Sequence, residues 1–558
     1  MTPFDVIVVG AGAAGAPLAA RLTEDPGRTV LLLEAGPVPG STEEFPADLL
    51  DSGTVRGAAP GHPANWSFLG HLTPGLPYSI ARGRILGGST TINGAYFIRA
   101  RRQDFDRWSA DGNDEWTWDR VLPFYRRIEA DRQFGETAVH GGSGPIPVTR
   151  PAQDHPVTVA FAAAAAELGF AREPDKNDQG DPGVGPLPMN VEDGIRVNTG
   201  IAYLNPVRGR GNLTVRGDSC VRRVVFEGSR AVGVEVQTAG VISVIRAREV
   251  VLCAGGVKSP HLLLVSGIGP RVDLEELGIT VVKDLPGVGD GFSDHPDIPV
   301  LWQPRRHVVD YRTSQSMASC LNFDSATTGT AESGTAGVGG PGDLEILPLI
   351  KPMGYLLTGR RAATASALGT LLRHPRRSVS ALRGISLRRF AEQVAHQGDL
   401  AMLVAVQAET SRGRISLESA DPAVPPRIDY HYLSTESDRR RMRQAIRTAV
   451  ALLRTEAFSR LFRRLSELDD STLDDDSRLD AWALGHLGTA IHLCGSARFG
   501  GADDPGAVVD QYGRVHGVDG LRVADTSILP DTPVRGPAAT AMLVGELIAH
   551  VMRRGADY

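Results

Sequence analysis

The sequence predicts an α/β protein of two large domains, the first of them Rossmann-like. Three observations carry this. The chain opens on DVIVVGAGAAGAPLAARLTEDPGRTVLLLEAG (residues 5–36), which reads as strand, tight turn, helix and strand within ~30 residues. Its 558 residues exceed what one hydrophobic core usually serves. Two later stretches, VVLCAGG at 250–256 and the strand-to-helix passage at 520–551, again run from an apolar strand into a helix.

The opening element has the composition that a dinucleotide needs. The β-branched run Val6 to Val9 stops at Gly10 and begins Gly10-x-Gly12-x-x-Gly15, with Ala13 and Ala14 filling the turn. Gly10 lets the chain leave the strand sharply, Gly12 removes a side chain where a pyrophosphate approaches backbone N–H groups, and Gly15 lets helix and strand lie close. The second apolar run, Val30 to Leu33, ends on Glu34 and Ala35, about 20 residues past the glycines. A carboxylate there accepts from both ribose hydroxyls and repels a 2′-phosphate, which disfavours NADP. The competing reading is a glycine-rich βαβ unit with no ligand, and this element alone leaves NAD and FAD both open.

Composition excludes several classes. The hydrophobic fraction of 42% and charged fraction of 22% are ordinary for a globular protein. A net charge of −6 argues against a general nucleic-acid binder. Cys220, Cys253, Cys320 and Cys494 lack CxxC or CxxH spacing, so neither a disulfide framework nor a metal site is expected. The first strand starts within a few residues of Met1 and no apolar run reaches the ~18 residues of a membrane span, so a reduced, cytoplasmic protein is expected.

Beyond Gly36 the chain turns to Pro, Gly, Ser and Asp up to about His71, which reads as surface loops. GRILGGSTTINGAYFIRA (83–100) follows, with adjacent glycines and small hydroxyl residues that allow close approach to a flat or charged ligand; a plain loop has this composition too. Residues 104–132 have helical spacing and three tryptophans. An Ala-rich helix is expected at 157–168, and a β-meander from Leu213 to Val251 with turns at Glu227-Gly228 and Ala239-Gly240. A helix from Ser259 to Val265 and the loop LPGVGDGFSDH (285–295) come next. Ser325 to Gly342 reads as an insertion. Gly354 to Phe390 carries eight arginines (Arg360, Arg361, Arg373, Arg376, Arg377, Arg383, Arg388, Arg389) and no acidic residue. It is either a solvated helical face or a docking surface for an anionic membrane or an acidic redox partner. Ser434 is the expected cap of an amphipathic helix bearing Met442, Ile446, Ala449, Val450 and Leu453. The acidic run at 474–476 suits a helix start.

The last seventy residues hold the other half of a site. TAIHLCGSARFG (489–500) places His492 in an apolar, glycine-bearing segment, where a histidine taken singly is more often a packed core residue than a catalytic one. GLRVADTSILP (520–530) is a strand ending on Asp525 and Thr526, and GPAAT (536–540) opens an apolar helix whose free N–H groups suit an anionic flavin locus.

With these motifs the chain resembles the glucose–methanol–choline (GMC) oxidoreductases, FAD enzymes that oxidise alcohols, over nearly its whole length. The likeness rests on the N-terminal βαβ, GRILGGSTTINGAYFIRA, SPHLLLVSGIGP, LPGVGDGFSDH, HLCGSARFG and VVDQYGRVHGVDGLRVADTSILP. It implies a Rossmann-like FAD-binding domain of the GMC type assembled from residues 1–150, 206–296 and 481–558. It implies an α+β substrate domain with an antiparallel sheet from 151–205 and 297–480. Gly10, Gly12, Ala13, Ala14, Gly15, Glu34 and Ala35 are then expected to hold the ADP half of FAD. Leu86, Gly88, Thr90, Asn93, Gly94 and Ala95 follow the pyrophosphate and isoalloxazine. Val221 matches the residue whose backbone meets adenine, and Asp525 and the Thr540 helix start match the ribityl and pyrimidine contacts. Ala254, Gly255 and Thr526 are further expected cofactor contacts, and His492 matches the catalytic histidine.

Departures from the family pattern carry expectations of their own. Some members attach FAD through a histidine where this chain has Ile92, so a non-covalent flavin is expected. The family's second His or Asn falls at Pro537 when aligned on Thr540, and Arg535 is the nearby polar candidate to replace it. RGPAATA and HLCGSARFG are similar to GMC members of the mycofactocin system, which implies reduced mycofactocin as the alcohol substrate and a respiratory electron acceptor. The expected reaction is oxidation of CH–OH to a carbonyl by a dehydrogenase, with His492 as base. The alternatives are a choline or aliphatic-alcohol dehydrogenase or oxidase, an NAD-dependent dehydrogenase, a GMC-fold lyase using FAD structurally, and a non-catalytic flavoprotein.

Overall fold

The computed structural model describes residues 3–110, 112–305, 308–309, 311, 315–325, 341–359 and 398–554. The β-branched run at the N-terminus forms the strand Phe4–Val9, the centre of a seven-stranded sheet. It lies parallel between Val30–Leu33 and the second half of Val241–Leu252, with Val9 opposite both Leu33 and Leu252. Leu213–Arg216 extends the sheet in parallel beyond Val30–Leu33, and Leu521–Val523 pairs in parallel with Val241–Leu252. Both faces are covered, so Val6 to Val9 and Val30 to Leu33 are all buried. Gly15–Leu22 and the last helix, Ala538–Arg554, cover one face together.

The meander is shorter than its sequence suggested. Ser219–Glu227, Arg230–Thr238 and the first half of Val241–Leu252 pair antiparallel through turns at Gly228 and Gly240, both with positive φ. Leu213–Arg216 belongs to the parallel core instead, because its alternation matches either pairing and the neighbouring strand end at Val30 decides.

A second seven-stranded sheet runs Phe462–Leu465, Pro296–Pro304, Leu400–Val406, Leu344–Pro348, Ser319–Phe323 and Val184–Pro186, with Gly488–Thr489 also on Pro296–Pro304. Every pairing in it is antiparallel. The helix Glu436–Leu453 lays Met442, Ile446, Ala449, Val450 and Leu453 into the core over this sheet. Its cap is Thr435, whose Oγ1 accepts from the Asp438 N–H, and not Ser434, whose hydroxyl instead meets Ser411. The acidic run caps as expected: Asp475 accepts from the Arg478 N–H at the start of Asp476–His486.

A five-stranded sheet is built from Asp290–Phe292, Gly413–Ser416, Arg427–Asp429, Phe68–Thr73 and Leu76–Ile80. Its last hairpin starts at Phe68, inside the stretch read as loops, where apolar Phe68 and Leu72 alternate with exposed or half-buried neighbours. The Ala-rich helix spans Pro156–Glu167, and the helix expected at 259 begins earlier, at Gly255. The tryptophan-rich stretch forms Arg102–Ser109 and Trp118–Ile128, joined by a cluster of Phe105, Trp108, Trp118 and Tyr125.

One buried carboxylate ties the two ends of the chain. Glu546 on the last helix accepts from Arg21 at 3.0 Å, from the Tyr203 hydroxyl at 2.9 Å and from Arg127. Among the described residues no helix is long and apolar enough to cross a membrane. The arginine tract from Arg360 to Arg389 and most of the 325–342 insertion lie outside the described residues.

Candidate active site

One continuous cleft runs from the end of Val30–Leu33, across the glycine turn, to the segment around His492. It starts at Glu34, buried, whose Oε2 accepts from the Ala11 N–H at 3.0 Å and Oε1 from the Gly36 N–H at 2.9 Å. Burial outweighs those two donors and pushes its carboxyl up to about 7. Gly10 sits at φ +102°, with a Cβ there falling 2.5 Å from the Cys253 carbonyl oxygen, so only glycine makes this turn.

The turn faces a second glycine. A Cβ on Gly88, at φ +53°, would lie 2.8 Å from the Gly12 Cα, so the two bare backbones meet. The Gly87 N–H donates to the Ala11 carbonyl at 2.8 Å, and Thr199 donates to the Gly12 carbonyl at 3.1 Å. The result is a cradle without side chains at the start of Gly15–Leu22, where N–H groups and the helix dipole favour an anion. The residues present therefore fit FAD: a carboxylate for ribose, a bare cradle for pyrophosphate, and Val221, Ala254 and Gly255 walling the same cleft.

Most of the expected contacts line the cleft: Gly10, Gly12, Ala13, Ala14, Glu34, Ala35, Gly88, Thr90, Asn93, Gly94, Val221, Ala254, Gly255, Asp525 and Thr526. Four do not. Gly15 packs behind the turn against the Gly10 carbonyl, Leu86 is buried against Gly200, and Ala95 sits in a separate apolar cluster. Thr540 itself turns its hydroxyl inward to Tyr125 Oη at 2.8 Å, while the helix start expected there does reach the cleft. The helix start meets the cleft through Gly536, Pro537, Ala538 and Ala541 instead. Asp525 lines the cleft but also knits it. Its carboxylate accepts from the Gly255 N–H, the Ser259 hydroxyl, and the N–H and hydroxyl of Ser527 at 2.6–2.9 Å.

At the far end the backbone holds His492 in place. Ile491 has φ +62°, its carbonyl accepts from Arg82 at 2.6 Å, and the His492 N–H donates to Asp294 Oδ1 at 2.7 Å. The imidazole stands perpendicular to His295, Nδ1 to Nδ1 at 3.0 Å. Its other edge faces Gly536, where a Cβ would be 3.2 Å from Cε1 and 3.4 Å from Nε2. Burial, then the Arg82 charge, hold the ring's pKa down to about 3, so it is a neutral acceptor at any working pH.

Arg535 does not stand beside His492. It is fully buried in another cluster, with Nη2 3.4 Å from Glu173 Oε1, near Gly342 and Asn322. Arg535 does not line the cleft, although Gly536 and Pro537 beside it do. The polar partner of His492 is His295, the last residue of LPGVGDGFSDH, whose ring the motif by itself gives no role. Its signal was there, an Asp-His pair closing a glycine-rich loop. Arg82, at the mouth of the other glycine motif, was missed in the same way.

A bare dinucleotide cradle that ends on a neutral histidine pair is the layout of a nucleotide-cofactor oxidoreductase. Comparison with known sequences agrees, for the GMC oxidoreductase model matches residues 4–297 with its N-terminal part and 409–545 with its C-terminal part. The chain belongs to the GMC oxidoreductase family. It is similar to an uncharacterized GMC-type oxidoreductase from the thcA 5′ region of Rhodococcus erythropolis, 38% identical over 550 residues and 98% of each chain. It is also similar to the oxygen-dependent choline dehydrogenase of Klebsiella pneumoniae, 33% identical over 99% of this chain and 96% of that one. Among solved structures, pyridoxine 4-oxidase from Mesorbium loti superposes with a TM-score of 0.83 at 28% identity, covering 99% of this chain and 100% of that one.

Proposed function

We propose that this GMC oxidoreductase binds FAD non-covalently and oxidises an alcohol CH–OH to a carbonyl, with His492 as the base. The observation that carries the reading is the neutral imidazole of His492 at the end of the cleft, its Nδ1 tied to His295 and its Nε2 edge open beside Gly536. Bound FAD supplies the acceptor for the hydride that leaves the alcohol carbon. Glu34 holds the ribose, the Gly12–Gly88 cradle takes the pyrophosphate, and Asn93 and Asp525 border the remainder of the cleft. His492 Nε2 takes the hydroxyl proton, Arg82 and Asp294 hold its backbone, and the apolar walls of Ile491, Leu493 and Phe68 exclude water. Ile92, buried on the cleft wall, offers no atom for a covalent flavin link.

A dehydrogenase is proposed over an oxidase on the uncharged Gly536–Pro537–Ala538 wall beside His492, with Arg82 and Lys258 as the charged side chains of the same cleft. Reduced mycofactocin remains the proposed substrate on the likeness of RGPAATA and HLCGSARFG. Choline or another primary alcohol is the alternative, supported by the named relatives. The arginine tract at Arg360–Arg389 is proposed to dock on an anionic membrane or redox partner at the cytoplasmic face, on composition alone. The test is anaerobic mixing of the yellow protein with reduced mycofactocin, choline, pyridoxine and aliphatic alcohols. Bleaching of the flavin by one of them is expected; a flavin that none of them reduces overturns the reading.

A further inference from the structure

The pairing of the antiparallel sheet sets a second histidine and a carboxylate behind the base. Asp297 stands opposite Ala405, which brings the residues just outside the pair, His295 and Glu409, to the same end of adjacent strands. Both are buried, and His295 Nε2 lies 3.8 Å from Glu409 Oε2. Neither atom makes a well-formed hydrogen bond among the described residues, although the carbonyls of Gln407 and Pro533 lie against the His295 ring. Two orphan polar atoms facing each other in a dry interior are uncommon, because each forfeits its solvation.

We propose that Glu409 acts through His295 as the positioning residue that draws the alcohol proton away from His492. The proposal rests on the reading of His492 as base, and tautomer logic then follows. For Nε2 of His492 to accept, the ring must carry its own proton on Nδ1. Two Nδ1 atoms 3.0 Å apart share one proton, so His295 carries its proton on Nε2, the atom that faces Glu409. When the alcohol O–H breaks, its electron pair stays on oxygen and its proton joins His492 Nε2. The Nδ1 proton of His492 passes to His295 Nδ1, and the Nε2 proton of His295 passes to the carboxylate. Both imidazoles end neutral and one carboxylate becomes an acid.

The surroundings favour that direction. Burial and Arg82 make an imidazolium at His492 costly, so the ring does not keep the proton. Burial, with the charges of Asp438 and Asp294, pushes the Glu409 carboxyl up to about 8, against the opposing pull of Arg412. Above about pH 8, where it is ionised, Glu409 is therefore the strongest proton acceptor of the three; below that pH it already holds a proton and the relay is closed.

The test uses FAD-loaded protein labelled with ¹⁵N-histidine and followed by NMR across pH, with no substrate present. The expected result is His492 as the Nδ1–H tautomer, His295 as Nε2–H, and both rings shifting together as one carboxyl ionises. Glu409→Gln abolishes that shared step. His295→Gln serves as the second variant and uncouples His492 from the carboxyl while Glu409 remains. A His295 proton on Nδ1, or ring shifts unchanged by Glu409→Gln, overturns the proposal. Failure of every alcohol to bleach the flavin would instead sink the function and leave the NMR result standing.

Discussion

Replacing Gly536 by Ala sets a methyl group 3.2 Å from His492 Cε1, 3.4 Å from Nε2 and 3.6 Å from Ile98 Cγ2. The backbone there is not in the left-handed region, so the methyl is the only change. Carbon contacts settle at about 3.5–4.0 Å, so the imidazole must give by about 0.3–0.5 Å. The ring cannot swing freely, since Nδ1 is held at 3.0 Å by His295 and its backbone by Asp294 and Arg82. A 1 Å misplacement costs ~10²-fold in rate, so this shift costs about 4–10-fold, or about 1 kcal/mol of barrier. The assay is stopped-flow flavin reduction with saturating alcohol, alongside flavin content and thermal unfolding. A Gly536→Ala protein with normal flavin content, normal stability and an unchanged reduction rate would refute the role of His492 as the base for the alcohol hydroxyl.

Other outcomes follow from the same geometry. His492→Ala leaves FAD bound and slows flavin reduction by ~10²–10⁴-fold in the same stopped-flow assay. Glu34→Gln trades a charged acceptor for a neutral one at the ribose and weakens FAD by about 10–100-fold, measured by fluorescence titration of apoprotein. Glu34 also sets a pH dependence on the apoprotein. Its folded pKa, raised from 4.5 to about 7, means the folded state holds a proton that the unfolded state has lost. Stability therefore falls as pH rises from 4.5 to about 7, by about 3 kcal/mol, and denaturant titrations of Glu34→Gln should not show that fall. Glu546→Ala strands Arg21 and the Tyr203 hydroxyl and lowers stability by about 3 kcal/mol, read as a lower unfolding midpoint with the flavin cleft intact.

Local signals made much of this protein legible before its structure. Gly10 needs positive φ and Gly12 needs a bare backbone, and both demands are written in residue type within a dozen positions of one strand. Glu34 follows from strand length, and the helix at 436–453 from its apolar stripe. The misses are where chemistry depends on partners distant in sequence. Arg535 and Thr540 carry suitable groups close to the right motif, yet the partners that claim them, Glu173 and Tyr125, are 362 and 415 positions away. Ser434 lost the cap to Thr435 by one residue, since Ser411 claims its hydroxyl.

Residue order alone settled the opening βαβ unit, its bare glycine turn and the carboxylate that closes the second strand, because each is a short-range pattern of backbone freedom and side-chain charge. Only folding chose the histidine's partner. His295 and His492 are 197 positions apart, and they meet at 3.0 Å because Pro296–Pro304 pairs with Gly488–Thr489 on one edge and with Leu400–Val406 on the other. The same pairing seats Glu409 behind them. Strand register is decided by burial across the whole sheet, so no window of sequence states it.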